Sequence, residues 1–184
     1  SKLSKSVEDI DLNFEDFVFK VNADVVNKVI NIGSRLGSIV YKKLDAELTV
    51  PDEEGELILS KIRNAEPQIK NHYEDFEFSK AMRAIMSLAD DVNKYIDTKA
   101  PWSVVKEDTA AASKICTTGL NALKLLTCYL KPVMPIISEG VEQFLNIEPL
   151  TWKDLEKTLE NHKVNKYVHL AQRLDLEQVE KIKG

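Results

Sequence analysis

Asn31 and Arg35 stand four residues apart in the run Val29-Ile30-Asn31-Ile32-Gly33-Ser34-Arg35, so on a helix they project from one face as neighbours. One offers an amide that both donates and accepts, the other a guanidinium with five donors. Such a pair can read the edge of a base. Further along, Trp102 follows Pro101, and the residue before a proline is disfavoured in helical conformation. A helix is therefore expected to stop at Ala100 and leave the indole on a loop, where an aromatic face can stack a base. The two stretches together read as a site for unpaired RNA bases if the fold brings them to one surface.

Other chemistry is thin. His72, His162 and His169 are dispersed, with no nucleophile or carboxylate at meaningful spacing, so no catalytic residue is expected. No glycine-rich phosphate loop follows a strand. Cys116 and Cys128 lie 12 residues apart in an apolar helical stretch without the close Cys or His partners of a zinc site; they are expected to be reduced packing residues, and no metal is expected.

The elements that must carry Asn31, Arg35 and Trp102 follow from periodicity. Phe14, Val18, Val21, Val25, Val29, Ile32, Leu36 and Ile39 recur at helical steps and define one buried stripe, leaving Lys20, Asp24, Asn27, Asn31 and Arg35 on another face. Asn13 is the expected N-cap. Pro51-Asp52-Glu53-Glu54 marks a turn and a second helix start, with Leu57, Ile58, Ile62, Ala65 and Ile69 as a weaker apolar face to about Asn71. Phe76, Phe78, Met82, Ile85, Leu88, Ala89, Val92 and Ile96 give a third helix that ends near Pro101. A fourth, starting between Lys106 and Asp108 and running to Leu130, is apolar on several faces and is expected to be the central element. After Pro132 and Pro135, Ile136, Ile137, Val141, Phe144 and Leu145 support a shorter fifth. Beyond Thr151 a helical piece is expected around Leu155 and Leu159, then another from Leu176 to Ile182, and Trp152 reads as a packing residue at a helix start. No β pattern or internal repeat stands out, so the expected fold is an all-α antiparallel bundle of about five main helices with a C-terminal helical or extended tail.

With 184 residues, 43% hydrophobic and only 6 Gly and 6 Pro, the chain is long enough for a substantial core. It has no apolar run near the ~20 residues of a membrane span and no signal-peptide pattern, which gives a cytoplasmic expectation and no membrane partner. The net charge of -5 argues against binding nucleic acid through a broad basic surface. Local reading of a few splayed bases remains open, with Lys20, Lys28, Arg35, Lys94 and Lys99 as candidates for a basic rim.

The run Asp9-Ile10-Asp11-Leu12-Asn13-Phe14-Glu15-Asp16-Phe17, followed by Val21 through Arg35, resembles the opening helix of the anticodon-binding domain of methionyl-tRNA synthetase, a class I aminoacyl-tRNA synthetase. Asn93-Lys94-Tyr95-Ile96-Asp97-Thr98-Lys99-Ala100-Pro101-Trp102 is similar to that domain's second signature, and the likeness continues through Leu130-Lys131-Pro132-Val133-Met134-Pro135 to Gln172-Arg173-Leu174-Asp175. The resemblance implies that Trp102 lies against an anticodon base and that Asn31 and Arg35, with Pro101, Lys28 and Asn27 around them, read the CAU anticodon of methionine tRNAs. It implies a parent ligase that uses ATP and Mg to attach methionine. No cofactor is expected for the segment itself. Its expected partners are the anticodon stem-loop of methionine tRNA and the catalytic domain of the same parent chain, not DNA.

Lys2-Leu3-Ser4-Lys5-Ser6 looks like the phosphate-stabilising Lys-Met-Ser-Lys-Ser loop of class I synthetases, but in that family the loop lies well upstream of the segment matching Asp9 to Phe17. The His-x-Gly-His type motif is missing, so activation chemistry is not expected here and the chain alone should be inactive. Residues 1–12 are expected to be a linker from the catalytic domain, 13–150 the bundle, and 151–184 an extension that packs back on the bundle or the catalytic domain, with Tyr167 to Leu174 as a docking strap. Two rival readings are the corresponding domain of another class I synthetase and a helical protein-interaction module whose polar stripe is merely solvated.

Overall fold

The computed structural model of the protein describes residues 22–168. Phe14, Val18, Val21, the Asn13 cap, Lys20, His169, the Lys2-to-Ser6 run and the expected helix at 176–182 lie outside that range. Asn22–Ile30 winds as a π-helix and continues into α1, Asn31–Lys43. One regular α-helix is expected from the sequence, and the wider winding before Asn31 bonds residues five apart instead of four. The buried stripe survives it: Val25, Val29, Ile32 and Leu36 are fully enclosed, with Ile39 half-buried.

The centre of the bundle is α6, Thr109–Leu130, where every residue from Ile115 onward is buried. Asp108 starts it by accepting the Ala111 N–H at 2.8 Å, as an N-cap should. Burial on all sides forces its polar residues to find partners. Thr118 and Thr127 return their hydroxyls to Lys114 and Leu123 carbonyls, and Thr117 Oγ1 accepts the Thr49 N–H at 2.9 Å.

Around α6 pack α1, α2 (Glu53–Asn64), α4 (Phe78–Lys99) and α7 (Pro135–Leu145), while α3 (Glu66–Glu74) packs on α4. Asp52 caps α2 through the Gly55 N–H at 2.8 Å. The sequence reads one helix from there to Asn71, whereas the chain breaks at Ala65. Pro67 sits in the first turn of α3, where its missing N–H costs nothing, so a new helix starts instead of an old one kinking.

Four residues expected on buried apolar faces are exposed instead. Leu57 is 68% exposed and Leu59 is buried in its place; Phe76 is 80% exposed, Phe78 47% and Ile136 81%. Phe76 falls in the turn between α3 and α4 with φ 58°, outside either helix, and Ile136 lies in the first turn of α7, before the buried face formed by Val141, Phe144 and Leu145.

The chain beyond α7 folds back. Trp152–Glu156 forms a 3-10 turn closed by a capping box between Thr151 and Asp154, with Leu155 buried; Leu159 falls outside it. Trp152 packs edge-on against Tyr129, ring centroids 5.4 Å apart, as the sequence reading expects. Three side chains of the bundle hold the following loop by its backbone. Arg63 Nε donates to the Leu155 carbonyl at 3.1 Å, Asn121 bonds both the N–H and carbonyl of Leu159, and buried Lys124 donates to the Asp154 and Lys157 carbonyls. His162–Lys163 (β2) then pairs antiparallel with Glu47–Leu48 (β1), Leu48 opposite His162. This ladder contradicts the expectation of no strand, because two residues are too short to show alternation.

Candidate nucleic-acid interface

The end of α4 sets the site. Its last turn closes with the Ala100 N–H on the Ile96 carbonyl at 2.9 Å, and Ala100 itself adopts left-handed geometry, φ 44°, ψ 59°. An alanine there costs about 1 to 2 kcal/mol of steric strain. The reversal lets Pro101 open a new one-turn helix, α5 (Pro101–Val104), instead of the loop expected from the sequence. Pro101 is buried, so it anchors the turn and is not itself on the surface. Trp102, the next residue, is 40% exposed.

Arg35 reaches it from α1. The guanidinium carbon lies 4.8 Å from the centre of the Trp102 ring, and Nη2 donates to Asp97 Oδ1 on α4. A cation over an indole face is held by the ring quadrupole, by about 0.5 to 2 kcal/mol depending on solvation. The two halves of the motif therefore meet. Asn31 lies one turn before Arg35, half-exposed, and its Oδ1 accepts the Ser34 hydroxyl at 3.3 Å. Asn27 is exposed on the π-helical stretch before it. Asn93 ties that stretch to α4, donating to the carbonyls of Lys28 and Ala89 at 2.8 and 2.9 Å.

The expected basic rim is largely charge-compensated. Lys28 pairs with Asp90 at 2.8 Å, Arg35 with Asp97, and Lys99 with Glu54 at 2.5 Å, whose hydrogen bond raises the Lys99 pKa; Lys94 is exposed. The three carboxylates were not singled out from sequence, although Asp97, one turn before Pro101, carries a charge that a neighbouring guanidinium would seek. They orient the cations and offset their charge locally, so the surface offers hydrogen-bonding groups and a π-face rather than a broad basic field.

The remaining chemistry-bearing residues are structural. His72 Nδ1 lies 3.0 Å from Glu77 Oε2 and His162 Nε2 2.6 Å from the Leu145 carbonyl. Cys116 and Cys128 are buried, and burial pushes their thiols up to about 12 and about 11. Among the described residues no three His, Cys, Asp or Glu side chains are grouped to hold a metal, and no helix is long and apolar enough to cross a membrane.

The fold is thus an all-α bundle that presents a tryptophan at a helix end with an arginine held over its ring. The family model for the anticodon binding domain of methionyl tRNA ligase matches residues 47–175. Methionine–tRNA ligases of Bdellovibrio bacteriovorus and Chromobacterium violaceum are 43% and 44% identical to the chain, over 97% and 99% of it and 26% and 27% of their own length. The chain belongs to this anticodon-binding-domain family. It spans about a quarter of the curated relatives it matches, and those matches cover the Asn31–Arg35 helix that precedes the family-model range. The free-state methionyl-tRNA synthetase of Mycobacterium tuberculosis superposes with a TM-score of 0.81 at 20% identity, over 88% of this chain and 34% of that one, which shows the shared fold.

Proposed function

We propose that this module reads the CAU anticodon of methionine tRNAs for a parent ligase that attaches methionine with ATP. The observation that carries the reading is the meeting of Arg35, Trp102 and Asp97 on one exposed surface, reached from α1 and the end of α4, with Asn31 one turn away. A base unstacked from the anticodon loop lies on the open part of the indole, a contact of roughly 1 to 3 kcal/mol. Asn31 and Arg35 then meet base edges, and a wrong base leaves a desolvated donor or acceptor unpaired. Cytosine, which offers both donor and acceptor atoms, suits that pair. Asn27 and Lys28 extend the same surface, with Pro101 fixing the turn beneath it.

The parent's activation chemistry, with its ATP and Mg, is assigned to the rest of the ligase, in the cytoplasm. Binding is this segment's share, with residues 13–150 as the bundle and 151–184 as its extension. The test is the affinity of the chain for a CAU stem-loop beside loops altered at each anticodon position. At least a tenfold preference for CAU is expected at a salt concentration held constant. Equal, salt-sensitive affinity for all loops would refute the reading, and binding to none would favour a protein-interaction module.

A further inference from the structure

The face of α1 opposite Asn31 and Arg35 carries Gly33 and Gly37. Each stands two residues from the reading pair, about 200° around the helix. Tyr167, from the chain that returns after β2, fills the groove that these glycines leave. A Cβ on Gly37 would lie 2.9 Å from Tyr167 Cβ and 3.0 Å from Phe144 Cζ, and one on Gly33 would lie 3.1 Å from Tyr167 Cε2 and 3.0 Å from Leu123 Cδ2. A methyl group on Gly37 would have to shift Tyr167, and one on Gly33 would need Leu123 and Tyr167 to give by a few tenths of an ångström. Phe144 meets the Tyr167 ring edge-on, centroids 5.1 Å apart at 84°. The strap is fastened just before this point, by Val164 N–H on the Ala46 carbonyl, Asn165 N–H on the Phe144 carbonyl and Asn165 Nδ2 on the Gln143 carbonyl, at 2.9, 2.9 and 2.7 Å.

We propose that Tyr167 is a positioning residue for base reading: wedged behind Gly33 and Gly37, it sets how far α1 stands out from α6 and α7, and so where Arg35 meets Trp102. This inference rests on the proposed anticodon reading. The opposite face of α1 meets its neighbours at a partly open surface, with the Arg35 side chain 24% and Asp97 61% exposed, whereas the Tyr167 side is close-packed. Close packing transmits a displacement of the helix; a solvated ion pair yields to it. Tyr167, the first residue of the strap that the resemblance sends toward the catalytic domain, here packs against Phe144 and the α1 glycines. Residues 169–174 lie outside the described range.

The experiment uses the chain with Tyr167→Ala, Tyr167→Phe and Gly37→Ala, and Tyr167→Ala combined with Arg35→Gln, titrated with the CAU stem-loop well below the melting temperature. Tyr167→Ala is expected to weaken binding at least about threefold, within the roughly two- to thirtyfold range of residues that act through others, and Tyr167→Phe to restore it to within about twofold. In the Arg35→Gln background Tyr167→Ala should add less than about twofold, although it shifts the melting temperature equally in both. Gly37→Ala, which crowds the same groove, should weaken binding as well. Unchanged affinity in Tyr167→Ala, or an equal loss with and without Arg35, would overturn the proposal. If the unsubstituted chain does not prefer CAU, the anticodon reading has failed instead, and the two failures are distinct.

Discussion

Replacing Trp102 by leucine separates its two roles, packing and stacking. An indole presents about 200 Å² of surface, and with 40% of the residue exposed about 120 Å² of it is covered. At about 25 cal/mol/Å² that burial is worth at most ~3 kcal/mol, less whatever the unfolded chain already buries. Trp102→Ala therefore costs the fold as well as the site, and a loss of binding in that variant is ambiguous. Leucine retains most of the covered area but has no π-face for a base or for the Arg35 guanidinium. The fold should lose about 1 kcal/mol, chiefly the cation–π contact. The stem-loop should lose roughly 1 to 3 kcal/mol of stacking, an increase in Kd of about five- to 150-fold. Fluorescence anisotropy of a labelled CAU stem-loop, with circular dichroism melting in the same buffer, reads both. If Trp102→Leu binds within twofold of the unsubstituted chain, the indole is not a stacking platform and the argument from its exposure is wrong.

Ala100→Gly should leave the fold unchanged or stabilise it by up to about 1 kcal/mol, because glycine removes the left-handed strain at φ 44° while adding unfolded-state entropy; thermal melts decide, and clear destabilisation would contradict the strain. Cys116 and Cys128, with thiols raised by burial, should resist a thiol reagent at pH 8 until the chain unfolds, and fast labelling of the native chain would refute their enclosure. The Asp154 carboxyl is held below its ordinary 3.8 by the Lys157 ammonium and by Thr151 donors, so its contribution is full above that pH and is lost as pH falls through and below it. Asp154→Asn should accordingly flatten the acid limb of a stability-versus-pH curve, and an unchanged limb would exclude the capping box as its source.

Much of this was legible in the residues. Asp52 and Asp108 announce helix starts because a carboxylate is the natural acceptor for free N–H groups, and both do cap. The stretch before Leu130, apolar on several faces, announces a central helix because little of it can be left to solvent. Trp152 and both cysteines fall where their types suggest. What could not be read depends on tertiary partners. Phe76 and Ile136 are apolar and exposed, and nothing local says so. Buried Lys124 looks like a surface lysine until Asp154 and Lys157 offer their carbonyls to it. At the site, helical spacing placed Asn31 and Arg35 on one face and Pro101 marked the helix end. That Asp97 and Asp90 compensate the cations, and that the strap braces α1 from behind, are facts of packing between segments distant in sequence.

The chain has 2 Trp residues, so Trp152→Phe leaves Trp102 as the lone indole, and its emission reports directly on whether a base lies against it. Titration of that variant with the CAU stem-loop is the most direct test of the central claim. Saturable quenching and lower accessibility to acrylamide are predicted, with little response to a loop altered in its anticodon. Binding seen by anisotropy with unchanged Trp102 emission and accessibility would contradict it.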